Sequence, residues 1–264
     1  MGSEKSFVEI EFDLSKSIEE NATSYYSKSK EARRTISGLK IALQAAHKRN
    51  ELERVVKPKT IKVERTKKWF EQYRWFFSSD NFLVVGGKDA KGNDALVKKR
   101  MKDIDVYFHA EVFGAPHCFI QSQGKSVPDA TMKEAAQFAV TYSKAWEQNR
   151  TQADAYSVRP EQVSKTARPG EYLGTGAFMI YGERNWFKKT PLSCAIGFFD
   201  KEKTLMAGPL FAIKKNCSFF VELKQGRTEK NEASKKLKKI FEEKGFLFGT
   251  EKFLSLLPNG SFEI

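Results

Sequence analysis

The chain has few cysteines, no long apolar run and a shortage of acids, and each scarcity removes a class of protein. Cys118, Cys194 and Cys217 are an odd number with no CxxC spacing. A disulfide framework and a zinc knuckle are therefore not expected; three packing thiols in a reducing compartment are. No apolar stretch approaches the length of a membrane span, and no signal-peptide pattern opens the chain. There is no GxxxxGK[ST] phosphate loop, GxSxG elbow, HExxH helix or EF-hand loop. Internal repeats, low-complexity segments and long linkers are also missing.

The shortage of acids is the most informative. Asp and Glu number 33 against 46 Lys and Arg, a formal charge of +13 over 264 residues. Such an excess favours a polyanionic partner through steering and counterion release. Nucleic acid is the first expectation, with an acidic membrane or protein surface as the alternatives and a merely lysine-rich soluble protein as the plain one. What is abundant is apolar and aromatic material, 40% and 13% of the chain. That supplies a substantial core for one large domain, or for one domain with an accessory element.

Residues 7–12, FVEIEF, alternate apolar and acidic and predict a short strand or extended lead-in. Ser17 and Glu20 form a capping-box pattern at the start of a helix. Along it Ile18, Ala22, Tyr25, Ser29, Ala32, Ile36, Leu39, Leu43 and Ala46 recur at alternating spacings of four and three, the period of a coiled-coil seam. The seam has no second helix of equal length here, so its partner is another chain, an upstream segment or the domain itself. Pro58 ends the helix. Residues 57–75 then carry seven Lys/Arg against two Glu. Trp69, Tyr73 and Phe76 fall on one helical face, with Trp69, Phe70 and Tyr73 expected in the core. Basic residues interleaved with aromatics suit RNA, because charges track phosphates while rings stack bases.

Phe82–Val85 predicts a buried strand closed by Gly86-Gly87, whose expected role is positive φ in a turn. Asn93 is the expected N-cap of a basic helix over 94–101. A strand, a glycine turn and a helix start form a plausible anion cradle. Val106–Glu111 and Cys118–Gln121 predict strands. His109 and Glu111 share a strand face, and His117 is a third group within reach for metal or acid–base chemistry. Thr131 and Glu134 predict the cap of a packing helix running to Gln148. Residues 154–160 and 178–181 predict strands flanking a basic loop, followed by a basic turn over 182–189 and a strand over 192–199. In the tail, 208–214 and 218–222 predict strands, 229–244 a lysine-rich helix and 251–257 a short one.

Several segments resemble a known family. These are WFEQYRWFFSSDNFLVVGGKDAKGNDALVKKR (69–100), DVYFHAEVFGAPH (105–117), KAW (144–146) and QVSKTARPGEYLGTGAFMIYGERN (162–185). They are similar to the NFACT-R domain, the predicted RNA-binding module of the NFACT (NEMF/RqcH/FbpA) family. FVEIEFDLSKSIEENATSYYSKSKEARR (7–34) resembles the segment leading into the second arm of that family's central coiled coil. The resemblance implies a cytoplasmic factor of ribosome-associated quality control that meets large ribosomal subunits carrying stalled peptidyl-tRNA. It also implies that the first coiled-coil arm lies upstream, so the chain is expected to be a C-terminal fragment or a shortened member. One motif departs: the family has HAD-x-HGA where this chain has His109-Ala110-Glu111-Val112-Phe113-Gly114-Ala115, so Phe113 replaces the second histidine.

The expected fold is α+β, a mixed or antiparallel sheet with packing helices behind a long coiled-coil-type helix. The expected divisions are 1–57 (helical arm), 58–200 (RNA-binding domain) and 201–264 (basic C-terminal extension). The expected partners are tRNA and large-subunit ribosomal RNA on the large subunit, with a coiled-coil partner or homodimer through the helix and no membrane. No cofactor, metal or catalytic residue is expected. The candidate RNA-contacting residues are Arg74, Lys88, Lys98, Lys99, Arg100 and His109 on one side, and Lys165, Arg168, Arg184 and Lys188 on the other. Two alternatives come from other classes: a metal-dependent RNA nuclease using His109, Glu111 and His117, and a protein-interaction module using the heptad helix.

Overall fold

The computed structural model describes residues 10–56, 66–166 and 172–264; of 47–56 only the backbone is described. The chain divides into two compact units, residues 1–64 and 65–264.

The first unit is built on helix α1, Ile18–Val56. Its 39 residues make a rod of roughly 58 Å at 1.5 Å per residue. The capping box forms: Ser17 N–H donates to Glu20 Oε2 (2.8 Å), and Glu20 N–H donates to Ser17 Oγ (3.1 Å). Residues 10–12 form no strand; the rest of the expected 7–12 strand lies outside the described residues. A lone strand has no ladder to join, and Glu11 instead exchanges hydrogen bonds with the Tyr25 hydroxyl. Asn21, buried, bonds Asp13 through both its amide and its carbonyl. The apolar seam along α1, including Ile18, Ile36, Leu39 and Leu43, is exposed.

The second unit begins with a 3₁₀ turn, Trp69–Gln72, followed by β1 (Arg74–Phe77), β2 (Leu83–Gly86), α2 (Ala90–Lys99), β3 (Val106–Ala110) and β4 (Cys118–Gln121). Next come α3 (Asp129–Thr141), α4 (Lys144–Glu147), β5 (Gln152–Val158), β6 (Val163–Ser164), β7 (Met179–Ile180) and β8 (Asn185–Pro191). The chain continues with β9 (Cys194–Phe199), β10 (Thr204–Gly208), α5 (Leu210–Asn216) and β11 (Phe219–Thr228). It ends with α6 (Lys230–Glu243), α7 (Thr250–Leu256) and β12 (Phe262–Glu263). A six-stranded sheet has the order β1-β2-β4-β3-β5-β8, a four-stranded sheet the order β10-β9-β11-β12, and β6 and β7 form a ribbon. Every pairing is antiparallel. The architecture is the α+β one anticipated.

Strand alternation sorts the large sheet into two faces. Helix α3 packs on β3, β4, β5 and β8, and its Phe138 meets Phe76 of β1 at 5.0 Å between ring centroids. On the opposite side Tyr107, Tyr156 and Val158 form a smaller cluster under Val97, Met101, Val163 and Ile180. Helix α2 and the β6–β7 ribbon therefore cover that face. The two sheets join at β1 and β10: a Cβ on Gly208 would lie 2.9 Å from Phe76 Cγ, so only glycine admits that ring.

Several local expectations are corrected. The aromatic run at 69–76 is a 3₁₀ turn and then a strand, not a helix. Trp75 and Phe76 are both buried, on opposite faces, and a run apolar on every side carries no period with which to tell strand from helix. Phe70 and Tyr73 are buried as expected, while Trp69 is partly covered. The N-cap of α2 is Asp89, whose carboxylate accepts from Gly92 N–H (2.7 Å), so Asn93 is inside the helix. Thr131 and Glu134 are inside α3, not at its cap. They brace the β1–β2 hairpin instead: Thr131 Oγ1 bonds Ser78 and Asp80, and Glu134 accepts from Ser79 N–H. The packing helix stops at Thr141, and Ser143 caps a separate turn, α4. The expected basic turn at 182–189 is largely β8, where the edge position supplies β5 as a partner. Residues 210–216 are helical, buried through Ala212 and Ile213, because packing on β1 and β9 overrides a short apolar run's strand tendency.

Candidate nucleic-acid interface

The anion cradle anticipated at Gly86-Gly87 takes a different form. Neither glycine has positive φ. Their smallness is steric: a Cβ on Gly86 would lie 2.8 Å from Cys118 Sγ, and one on Gly87 only 1.9 Å from Asn93 Oδ1. The backbone thus passes directly under α2. Asn93 Oδ1 accepts from His117 N–H (3.2 Å), and Gly87 N–H donates to the His117 carbonyl (3.1 Å). Strand β2, helix α2 and the start of β4 are locked together at this point.

A cleft of about 740 Å³ opens here. Arg74, Lys88, His109 and Arg184 line it, so the fold brings together four candidates from four different segments. His109 and His117 form its floor, stacked at 4.5 Å between centroids. His117 is buried and hydrogen-bonds the Tyr107 hydroxyl through Nδ1. Burial, with His109 adding to it, pushes its pKa down to about 3. Burial also lowers the pKa of His109, whose Nδ1 bonds the Pro116 carbonyl (3.1 Å). Both rings are neutral at pH 7. With Nδ1–H donating to Pro116, His109 keeps the lone pair on Nε2 as an acceptor.

One wall is held by Asp94 of α2. Its carboxylate accepts from Gly176 N–H (2.9 Å) and pairs with Lys165 (3.1 Å) and Lys98 (3.2 Å). Burial would raise its pKa, but these three donors outweigh that and hold it low. Lys165 also donates to the Gly174 and Ala177 carbonyls, which occupies all three of its ammonium protons. Its place is structural: it pins the 174–178 loop beside the cleft. Gly176 needs its missing side chain twice over, having φ of +78° and a Cβ position 2.6 Å from Ala90 Cα.

The Arg74 end is the most cationic. Arg74 lies 4.4 Å over the Tyr142 ring and donates weakly to the Leu257 carbonyl (3.5 Å). It makes no ion pair among the described residues, and burial lowers its pKa. Lys88 is lowered by burial and then by Arg74 and Lys252. Lys230 is brought down to about 8 by burial and by Arg74; its ammonium donates to Asn259 Oδ1 (3.1 Å). Sequence reading missed Lys230, Lys252 and Asn259. They sit in the tail, and no local pattern signals that it returns to Arg74.

Apart from Arg184 at its rim and Lys165 in its wall, the remaining described candidates lie outside the cleft. Arg184, on the rim, stacks over Tyr156 (4.5 Å) and pairs with Glu111 (3.2 Å). Lys188 pairs with Asp154 and lies over Trp186 (3.8 Å). Lys98, Lys99 and Arg100 are exposed at the far end of α2, with Arg100 over Trp69 (5.0 Å). Arg168 lies outside the described residues. The metal alternative is not assembled: Glu111 turns to Arg184, both histidine Nδ1 atoms are engaged within the protein, and among the described residues no three His, Cys, Asp or Glu side chains converge.

Comparison with known proteins gives the lineage. Residues 72–182 match the family model for the NFACT protein RNA binding domain. The chain belongs to the NFACT family. It is 40% identical over 205 residues to the Archaeal Rqc2 homolog aRqcH of Methanocaldococcus jannaschii, covering 77% of this chain and 30% of that protein. It is 37% identical over 199 residues to the Ribosome quality control complex subunit NEMF homolog of Drosophila melanogaster, covering 73% and 20%. It is 37% identical over 188 residues to the Ribosome quality control complex subunit NEMF of Homo sapiens, covering 69% and 17%. The chain thus spans less than a third of the length of these relatives.

Proposed function

We propose that this chain is the RNA-binding part of a cytoplasmic ribosome-associated quality-control factor. Its second unit captures tRNA or large-subunit ribosomal RNA on the large subunit electrostatically, without covalent chemistry. One observation carries the reading. Arg74 and Lys88 line one end of the cleft, Arg74 lowers the pKa of both Lys88 and nearby Lys230, and among the described residues none of the three is in an ion pair with a carboxylate. A half-buried guanidinium without a counter-charge is costly unless an anion arrives from outside. A polyphosphate supplies that anion, and the exposed Lys99 and Arg100 extend the track. Names of relatives that belong to ribosome quality control complexes support the same setting.

The test is salt-titrated binding of tRNA, ribosomal RNA fragments and duplex DNA to the full chain, with Lys88→Glu and Lys99→Glu. Each substitution should weaken RNA binding and reduce the slope of log affinity against log salt by about 0.7–0.9, the value of one phosphate contact. Unchanged affinity and slope in both variants would remove the assignment. A second reading, a coiled-coil partner or homodimer through α1, is supported by its exposed seam. Sedimentation of the chain with and without Leu39→Lys and Leu43→Lys tests it, since a seam-mediated dimer would dissociate.

A further inference from the structure

We propose that the cleft is a pocket for a single unpaired ribonucleotide, held with its phosphate at Arg74, its base against Phe113 and a base or ribose donor on His109 Nε2. The proposal rests on the RNA-binding reading and deepens it. The first support is shape. At about 740 Å³ the cleft falls among those that enclose small ligands, roughly 300–1,000 Å³. A duplex keeps its bases stacked and their faces inaccessible, whereas an unstacked loop or bulge nucleotide can enter.

The second support is Phe113. It lines the cleft and is 81% exposed, so its ring is open to a ligand. The backbone carries it outward through Gly114, at φ +71°, and Lys144 lies 4.8 Å over its ring. A solvent-facing ring beside a cation is a stacking platform for a base. Phe178, also on the cleft, meets His117 in a T-shaped contact at 5.0 Å between centroids and supplies a second apolar wall.

The third support is the polarity of the floor. His109 is fixed by Pro116 and by its stack on His117, and both rings stay neutral. The open Nε2 lone pair therefore accepts a hydrogen bond, and a base N–H or a 2′-hydroxyl offers one. With cations at the Arg74 end and an acceptor on the floor, the cleft has the polarity of a nucleotide rather than that of a simple anion.

The experiment uses the full chain and two labelled RNA hairpins of identical stem, one with an intact loop nucleotide and one abasic at that position. A panel placing the abasic site at each loop position in turn covers the loop. Binding is measured across a salt titration for the native chain and for Phe113→Ala, whose exposed position leaves folding intact. Native protein should bind at least one abasic hairpin about fivefold or more weaker than the intact one, the lower bound for loss of one stacked base. Phe113→Ala should lose this discrimination while keeping the native salt slope. If all abasic hairpins bind as tightly as the intact RNA, with strong salt dependence, the nucleotide pocket is overturned and electrostatic capture stands. If discrimination persists in Phe113→Ala, the pocket assignment fails. If neither RNA binds at low salt, the proposed function fails and takes the pocket with it.

Discussion

Acid should destabilise this protein well before its carboxylates protonate, and His117 is the reason. In the folded state its ring is buried, bonded to the Tyr107 hydroxyl and stacked on His109. Its pKa there is about 3, against about 6.5 in an unfolded chain. Between those values the unfolded state holds the extra proton, so stability rises with pH and is lost as pH falls below 6.5. At pH 5 the unfolded imidazole is almost fully protonated and the folded one almost fully neutral. Linkage through the shift to about 3 then gives a loss of about 2 kcal/mol between pH 7 and pH 5 from this residue alone. His109, also lowered by burial, acts with the same sign. Glu134, raised by burial, acts against it, so the comparison must be made between variants. Urea unfolding of native protein and of His117→Gln at pH 7 and pH 5, at constant ionic strength, isolates the term. The native protein should lose about 2 kcal/mol more than the variant over that interval. Equal losses, or an NMR titration of His117 in the folded protein near 6.5, would refute the reasoning.

Two further outcomes follow from neighbouring groups. Asp94→Ala strands the Lys165 ammonium and the Gly176 amide; it should cost about 2 kcal/mol by urea unfolding, the scale of a hydrogen bond to a charged group, and Asp94→Asn should recover part of it. Because the Lys230 pKa is about 8 and an anion favours its charged form, RNA affinity should fall by up to about tenfold from pH 7 to pH 9, one pKa unit being a factor of ten. Lys230→Met should flatten that part of the profile, and superimposable pH profiles would disprove the coupling.

The start of helix α1 was legible because its signals are local, while the expected stop at Pro58 lies outside the described residues. The capping box and the seam repeat lie in consecutive turns, and both depend only on helix geometry. Strands β2, β3 and β4 were similarly readable, being short apolar runs bounded by glycine, proline or polar residues. The aromatic run at 69–76 was not, because Trp75 and Phe76 are buried on opposite sides and leave no pattern. Residues 210–216 misled for a related reason: four apolar residues in a row fit either element, and packing on two strands made them helix.

The amino-acid sequence alone determined the α+β class, the heptad seam, the excess of positive charge and, through its motifs, the family. Those properties follow from composition and from spacings within a few turns. Tertiary structure decided which charges matter. Lys165, basic in sequence, spends its protons on Asp94 and two carbonyls, and Lys98 is tied to the same aspartate. Arg74 and Lys88 instead meet Lys230 and Lys252, some 150 residues away in the chain. The exposure of Phe113 and the neutrality of His109 were likewise settled by the fold. The reason is physical: a residue's charge is intrinsic, but its desolvation and its partners are set by segments distant in sequence, and these determine whether a cation braces the fold or waits for a ligand.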